Sequence, residues 1–205
     1  MYVKNLMIPK EKLITVTRED TLEKALTAIE ENDFKAVPVV EDEKFFGAVS
    51  KANVYAYYYE NNLSKEEFVK YKVKDIIESD FPTVRLMDQI ESVAYLLEQK
   101  EVVFVAVSDE ADGFKGIITH HKIFHEFTET FGFNKGKRLA VSTFDIPGQI
   151  SKLSKIIYAN HGDIISLVTI NTGSVIEVTE IVIRLRTDNL EVIKKKVKEA
   201  GFHIL

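Results

Sequence analysis

The chain has 205 residues, 45% of them apolar and 29% charged, which is enough apolar content to bury a core and too much for a disordered tail. It contains no cysteine, which excludes a disulfide framework, a thiolate metal site and a cysteine nucleophile. The formal net charge of −5 is unevenly spread: residues 1–136 hold 17 Lys/Arg against 25 Asp/Glu, and residues 137–205 hold 10 against 7.

The acidic first part would repel a phosphate backbone, so no nucleic-acid partner is expected. Residues 1–11 lack the apolar run of a signal peptide, and the densest apolar stretch, residues 102–107, is too short to span a bilayer. The expectation is a soluble, cytoplasmic protein with no membrane partner.

Residues 14–55 overlay residues 82–124 as an internal repeat. Thr15-Val16 falls on Thr83-Val84 and Asp20 on Asp88. Each aspartate precedes a glutamate, Glu23 or Glu91, by three residues, which predicts a helix N-cap with a capping-box partner. The helices that follow place Leu22, Ala25, Leu26 and Ile29, or Ile90, Val93, Ala94 and Leu97, at i, i+3, i+4 and i+7. An apolar strand comes next (residues 36–40 or 102–107), then an acidic turn (41–44 or 108–113). A second strand ends in Gly47-Ala48-Val49-Ser50 or Gly116-Ile117-Ile118-Thr119, and a helix starts near Lys51 or His120.

Ser50 and Thr119 thus stand where strand meets helix. Each either caps the helix alone or also helps its first-turn amides hold phosphate or ribose oxygens. His121 and His125 have a spacing that can clamp a metal, but no third ligand is evident, so no metal is expected and a polar helix face or phosphate contact is favoured. Tyr57, Tyr58 and Tyr59, and Phe124, Phe127 and Phe131, read as helix packing at repeat or subunit interfaces.

The charge shift falls in the glycine-containing polar stretch 132–137, which marks a domain boundary. Beyond it the pattern predicts a strand over residues 138–143 with Leu139 and Val141 on one face. Asp145-Ile146-Pro147-Gly148 then turns the chain into a helix burying Ile150, Leu153, Ile156 and Ile157. Gly162 is expected to supply the left-handed stop. Strands 164–171 and 177–186 form a hairpin around Thr172-Gly173-Ser174, Asp188 caps a helix over 190–200, and Gly201 releases a last strand, 202–205. The fold class is α+β, with domains at 1–66, 67–131 and 137–205 and a linker at 132–136.

The repeat resembles a tandem pair of CBS domains, each βαββα-like, whose nucleotide motif is glycine, two apolar residues, Thr or Ser, two residues, then Asp. The strand 35-KAVPVV-40 also resembles the family's apolar-Pro-Val strand. The resemblance implies an adenine nucleotide as regulatory ligand, with no cofactor required. It assigns the contacts to Thr15, Lys35, Ala36, Val37, Pro38, Ser50, Lys51 and Asn53, and to Thr83, Thr119, His120 and Lys122. Asn53 and Lys122 replace the motif's ribose-binding Asp. Asn53 still offers an uncharged acceptor, whereas Lys122 cannot accept and suits a phosphate. The first repeat is therefore expected to keep an adenosine site and the second to be altered or empty.

Residues 137–205 resemble an ACT domain, a ferredoxin-like βαββαβ module. That resemblance implies an amino-acid site with Ile146, Gly148, Gln149 and Ile150 offering backbone contacts and Asp145 meeting the ammonium group, although the same turn serves a purely dimerising module. The whole is similar to acetoin-utilisation B-type bacterial regulators. The implied protein is a non-enzymatic, homodimeric sensor of cyclic di-AMP, AMP or ATP, acting on an unidentified protein partner. The alternative is an assembly protein with degenerate nucleotide sites.

Overall fold

The computed structural model describes residues 1–171, 173 and 178–205, which divide into two compact units, Met1–Phe124 and His125–Leu205. In the first, a 3₁₀ turn and strand β1 (Ile8–Pro9) precede helix α1 (Leu22–Glu31), strands β2 (Ala36–Glu41) and β3 (Lys44–Ser50) and helix α2 (Lys51–Glu60). A one-turn helix α3 (Lys65–Phe68) and a further 3₁₀ turn, Val73–Asp75, lead into the recurrence: β4 (Thr83–Arg85), α4 (Ile90–Gln99), β5 (Phe104–Ser108), β6 (Phe114–Thr119) and α5 (His120–Thr130). Helix α5 runs across the division between the units.

The two repeats exchange their leading segments. β1 pairs antiparallel with β6 of the second repeat, and Glu78, just before the second repeat, bridges Ala48 in β3 of the first. The bonds are reciprocal: the amides of Val3 and Lys4 donate to the carbonyls of Asp88 and Leu86, and those of Val73 and Lys74 to Asp20 and Arg18. Side chains follow the backbone. Val73 is buried in the first repeat's core with Leu22, Ile29, Val37, Val49 and Val54.

Gly47 and Gly116 make the exchange sterically possible. A Cβ on Gly47 would lie 2.1 Å from the Glu78 carbonyl oxygen, and one on Gly116 would lie 2.1 Å from that of Ile8. Each glycine is therefore the point where the visiting segment crosses the host strand.

The helix starts differ from the expectation. α1 is capped by Thr21, whose hydroxyl accepts from the Lys24 amide, and α4 begins at Gln89 without a side-chain cap. Asp20 and Asp88 instead accept from the amides of Thr17 and Arg85, three residues earlier, and tighten the turn that delivers the chain to each helix. The predicted starts of α2 and α5 hold, with Ser50 accepting from the Asn53 amide and Thr119 from that of Lys122. Between the repeats lies an aromatic core. Phe45 stacks on Phe114 with centroids 5.6 Å apart, and Phe81 tilts against Phe104 at 4.7 Å.

In the second unit, β7 (Lys137–Phe144), α6 (Gln149–Ala159), β8 (Asp163–Asn171), β9 (Val178–Arg186), α7 (Leu190–Glu199) and β10 (His203–Ile204) form an antiparallel sheet of order β10-β7-β9-β8. Its core joins Leu139, Val141, Ile181, Ile183 and Leu185 of the sheet to Leu153, Ile157, Ile193 and Val197 of the helices. Ile150, expected on the buried side of α6, is 47% exposed, because it sits in the helix's first turn beside an open cleft. His161, not Gly162, takes the left-handed conformation after α6. Gly162 is needed for space, since its Cβ would come within 2.6 Å of the Ile157 side chain. Asn189 rather than Asp188 occupies the α7 N-cap, and makes no side-chain cap bond. Of the hairpin turn, Thr172 and Ser174 lie outside the described residues, as does Glu177.

Two predictions follow from the exchange. Gly116→Ala should cost on the order of 2–4 kcal/mol, read as a lower urea midpoint for the first unit, because the new methyl must displace β1. Glu19 joins the visiting segment to its host through Lys72 and Lys74. Hydrogen bonds from Lys72 and then Lys74 lower its carboxyl from the ordinary 4.5 to about 2. The native state thus holds this group ionised where the unfolded chain would protonate it. Its stabilisation is complete above pH 4.5 and is lost as pH falls from 4.5 towards 2. Glu19→Gln should flatten that part of the acid unfolding profile, measured by circular dichroism.

Candidate functional site

Two clefts open in the first unit, related by the repeat. The first, of about 740 Å³, is lined by Lys35, Ala36, Ser50, Lys51 and Tyr55 of the first repeat and by Glu78, Phe81, Lys100, Val102 and Val103. The second, of about 850 Å³, is lined by Ile8, Leu13, Pro38, Phe104, Ile117, Thr119, His120 and His121. Both volumes suit a small-molecule ligand. The clefts share a wall: Asp33, Phe34, Lys35 and Ala36 from before and within β2, and Glu101, Val102 and Val103 from before β5, line both. Asp33 and Glu101 occupy matching places in the repeats and share a left-handed φ, 52° and 51°. Each turns its chain sharply from helix towards strand beside the clefts.

Among the residues expected to bind a nucleotide, Lys35, Ala36, Ser50 and Lys51 line the first cleft, and Lys35, Ala36, Pro38, Thr119 and His120 line the second. Val37 is fully buried in the first repeat's core, so its side chain faces away from both clefts. Thr15 and Thr83 are exposed outside the cleft walls, and Asn53 and Lys122 stand one helical turn behind them.

Lys51 is engaged: its ammonium lies 3.1 Å from Glu30 Oε1, which also accepts from the Tyr55 hydroxyl at 2.8 Å. The Tyr55 bond, then that of Lys51, holds the Glu30 carboxyl below the usual range. The first cleft balances Lys35, Lys51 and Lys100 against Asp33, Glu78 and Glu101, so it is polar without being strongly cationic. Among the described residues, no group of three or more His, Asp or Glu is placed to hold a metal ion.

Glu78 and Phe81 were not singled out from the sequence. A signal for the first existed upstream of the repeat as drawn: Val3-Lys4-Asn5-Leu6-Met7-Ile8 matches Val73-Lys74-Asp75-Ile76-Ile77-Glu78 in pattern, in a different register from the rest. That alignment pairs Glu78 with Ile8, as the crossings at Gly47 and Gly116 also do.

In the second unit a cleft of about 810 Å³ gathers Asp145, Ile146, Gly148, Gln149 and Ile150 with Thr143, Thr169 and Asn171. Gly148, at φ +92°, is the N-cap of α6 and offers no side-chain cap, so the first-turn amides of an 11-residue helix start at the cleft. The Ile146 amide is already committed to the Phe144 carbonyl at 2.9 Å. The backbone donor role expected of Ile146 is therefore taken up inside the turn itself.

Comparison with known proteins agrees with this architecture. The CBS domain family model matches residues 3–60 and 73–129, and the chain belongs to that family, with two CBS domains in tandem. Similar solved structures include a CBS domain-containing protein of unknown function from Bacillus anthracis str. Ames Ancestor, at 25% identity and TM-score 0.55, covering 63% of this chain and 94% of that one. CBSX2, solved in complex with AMP, is 24% identical with TM-score 0.55, covering 62% of this chain and 96% of that one. CbpB, solved in complex with c-di-AMP, is 18% identical with TM-score 0.53 and covers 63% and 90%. Among the described residues no helix is long and apolar enough to cross a membrane.

One stability consequence concerns the cleft wall. Phe81 touches both Phe45 and Phe104 and lines the first cleft. Phe81→Ala should cost about 3 kcal/mol or more, read from the thermal midpoint of the first unit.

Proposed function

We propose that the protein is a regulatory sensor whose CBS pair binds an adenine nucleotide in the first cleft. The observation that carries this reading is the convergence in one cleft of an apolar wall, an α-helix start and lysines. Phe81, Val102 and Val103 suit a purine face; the Ser50 hydroxyl at the start of α2, with Lys35, Lys51 and Lys100 nearby, suits sugar and phosphate oxygens, while the Lys51 and Asn53 amides are taken by the Lys35 carbonyl and Ser50. The ligand-bound relatives, with AMP and with c-di-AMP, support the same ligand class, and ATP belongs to it chemically. The charge balance of the cleft favours a ligand with few phosphates.

The second unit we read as an ACT-type, ferredoxin-like module, on its strand-helix-strand-strand-helix-strand order and its sheet order. Asp145 and the amides of Gly148, Gln149 and Ile150 suit an amino acid's ammonium and carboxylate. The exposed Phe144, Ile146 and Ile150 around that cleft suit a second copy in a homodimer. Regulation then requires the ligand to prefer one arrangement of the chain over another and so to change binding to a protein partner.

Thermal unfolding with AMP, ATP, c-di-AMP and the common amino acids tests both parts. A nucleotide that binds the native state raises the midpoint saturably, by about 2.7 kcal/mol of stabilisation at a hundred times its Kd. Lys51→Ala should weaken nucleotide binding about three- to tenfold, and Glu30→Gln, which releases Lys51, should strengthen it by a similar factor. Asp145→Ala should abolish any amino-acid shift while leaving the molecular mass in solution unchanged. Midpoints unmoved by every compound at millimolar concentration would favour the assembly protein.

A further inference from the structure

We propose that Glu78, carried into the first cleft by the exchanged segment, is the group that recognises a vicinal diol there, so that the two clefts of one chain differ in what they select. The inference rests on the nucleotide reading above and names the part of the ligand that each cleft can tell apart.

Glu78 lines the first cleft, and its carboxylate accepts a hydrogen bond from the Asn53 side-chain amide on the first turn of α2. Its backbone is pinned from both sides, its amide donating to the Ala48 carbonyl at 3.0 Å and its carbonyl accepting from the Ala48 amide at 3.2 Å. The carboxylate is thus carried on a backbone fixed by its bridge to Ala48, in the cleft that Ser50 also lines, with Asn53 orienting it. An ionised carboxylate only accepts, and its two oxygens match two neighbouring hydroxyl donors. It repels phosphate. A nucleotide in this cleft would therefore place its ribose hydroxyls at Glu78 and its phosphate towards the lysines. A free 2′,3′-diol satisfies both oxygens, whereas a ribose esterified at the 3′ oxygen, as in a cyclic dinucleotide, brings only one donor.

The second cleft has no counterpart. Ile8 crosses Gly116 as Glu78 crosses Gly47, and Lys122 stands where Asn53 stands in the first repeat. An apolar side chain and a cation replace the carboxylate and its positioning amide, so the crossing segment brings no diol acceptor into this cleft, whose carboxylates Asp33 and Glu101 are ones it shares with the first.

Calorimetric titration of the full chain with AMP and with 2′,3′-dideoxy-AMP tests the assignment. Wild type should bind AMP about tenfold or more tightly than the dideoxy compound, the order expected for charge-assisted hydrogen bonds. Glu78→Gln should bring the two affinities within about twofold by weakening AMP alone. Equal wild-type affinities for the two compounds would overturn the role of Glu78 without any variant. So would a Glu78→Gln protein that keeps the discrimination, or that loses both ligands equally. In each of these results AMP still binds the wild type, so the nucleotide reading stands. Absence of AMP binding to wild type would overturn both.

Discussion

At Gly47 and Gly116 the backbone of a distant segment passes where a side chain would otherwise begin, 2.1 Å from the ideal Cβ position. Almost everything about the first unit depends on these two crossings. Because residues near the start of the chain pair with β6 while Glu78 pairs with β3 and Val73 and Lys74 bond to Asp20 and Arg18, neither repeat completes its own fold. The buried Val73 and the backbone bonds to Asp20 and Arg18 belong to the first repeat by contact and to the second by position in the chain. The two repeats are consequently one cooperative body, and their clefts lie at the seam that the exchange creates.

The same geometry explains why the clefts are similar in shape and different in chemistry. Both have a helix start capped by a hydroxyl, Ser50 or Thr119, and both are lined by the left-handed turns at Asp33 and Glu101. Both share a wall, formed by residues 33–36 and 101–103. The crossing segment, however, contributes Glu78 on one side and Ile8 on the other. Divergence of a single exchanged residue changes the polarity of a cleft while leaving the crossing backbone, and hence the fold, untouched.

The pairing of Lys51 with Glu30 and Tyr55 has a related meaning. A lysine beside a helix start reads as an anion ligand, but here it is already partnered on the surface of its own repeat. A phosphate must compete with a carboxylate for it. Exposed pairs of this kind are weak, so the competition is one that an anion held by other contacts can win.

Much of this fold was legible in the chain. The helical spacing of Leu22, Ala25 and Ile29 and of Ile90, Val93 and Leu97, the hydroxyl at each strand-to-helix junction and the alternating pattern after residue 137 all reflect local periodicity, which sequence carries directly. What local pattern could not carry was the choice among equivalent partners. Asp20 and Asp88 had the spacing of caps, yet turn geometry drew their carboxylates back to Thr17 and Arg85. Glu78 carries no local signal of its own, and only the exchange sets it beside Asn53. Composition and periodicity determined most of the elements and their order, while the division into compact units falls between Phe124 and His125, inside α5, and not in the glycine-containing stretch 132–136 that the charge shift marked. Only the tertiary structure decided which repeat each segment completes and so which side chains meet in a cleft, because the crossings of Ile8 at Gly116 and of Glu78 at Gly47 depend on steric fit between segments distant in the chain, which local pattern does not express.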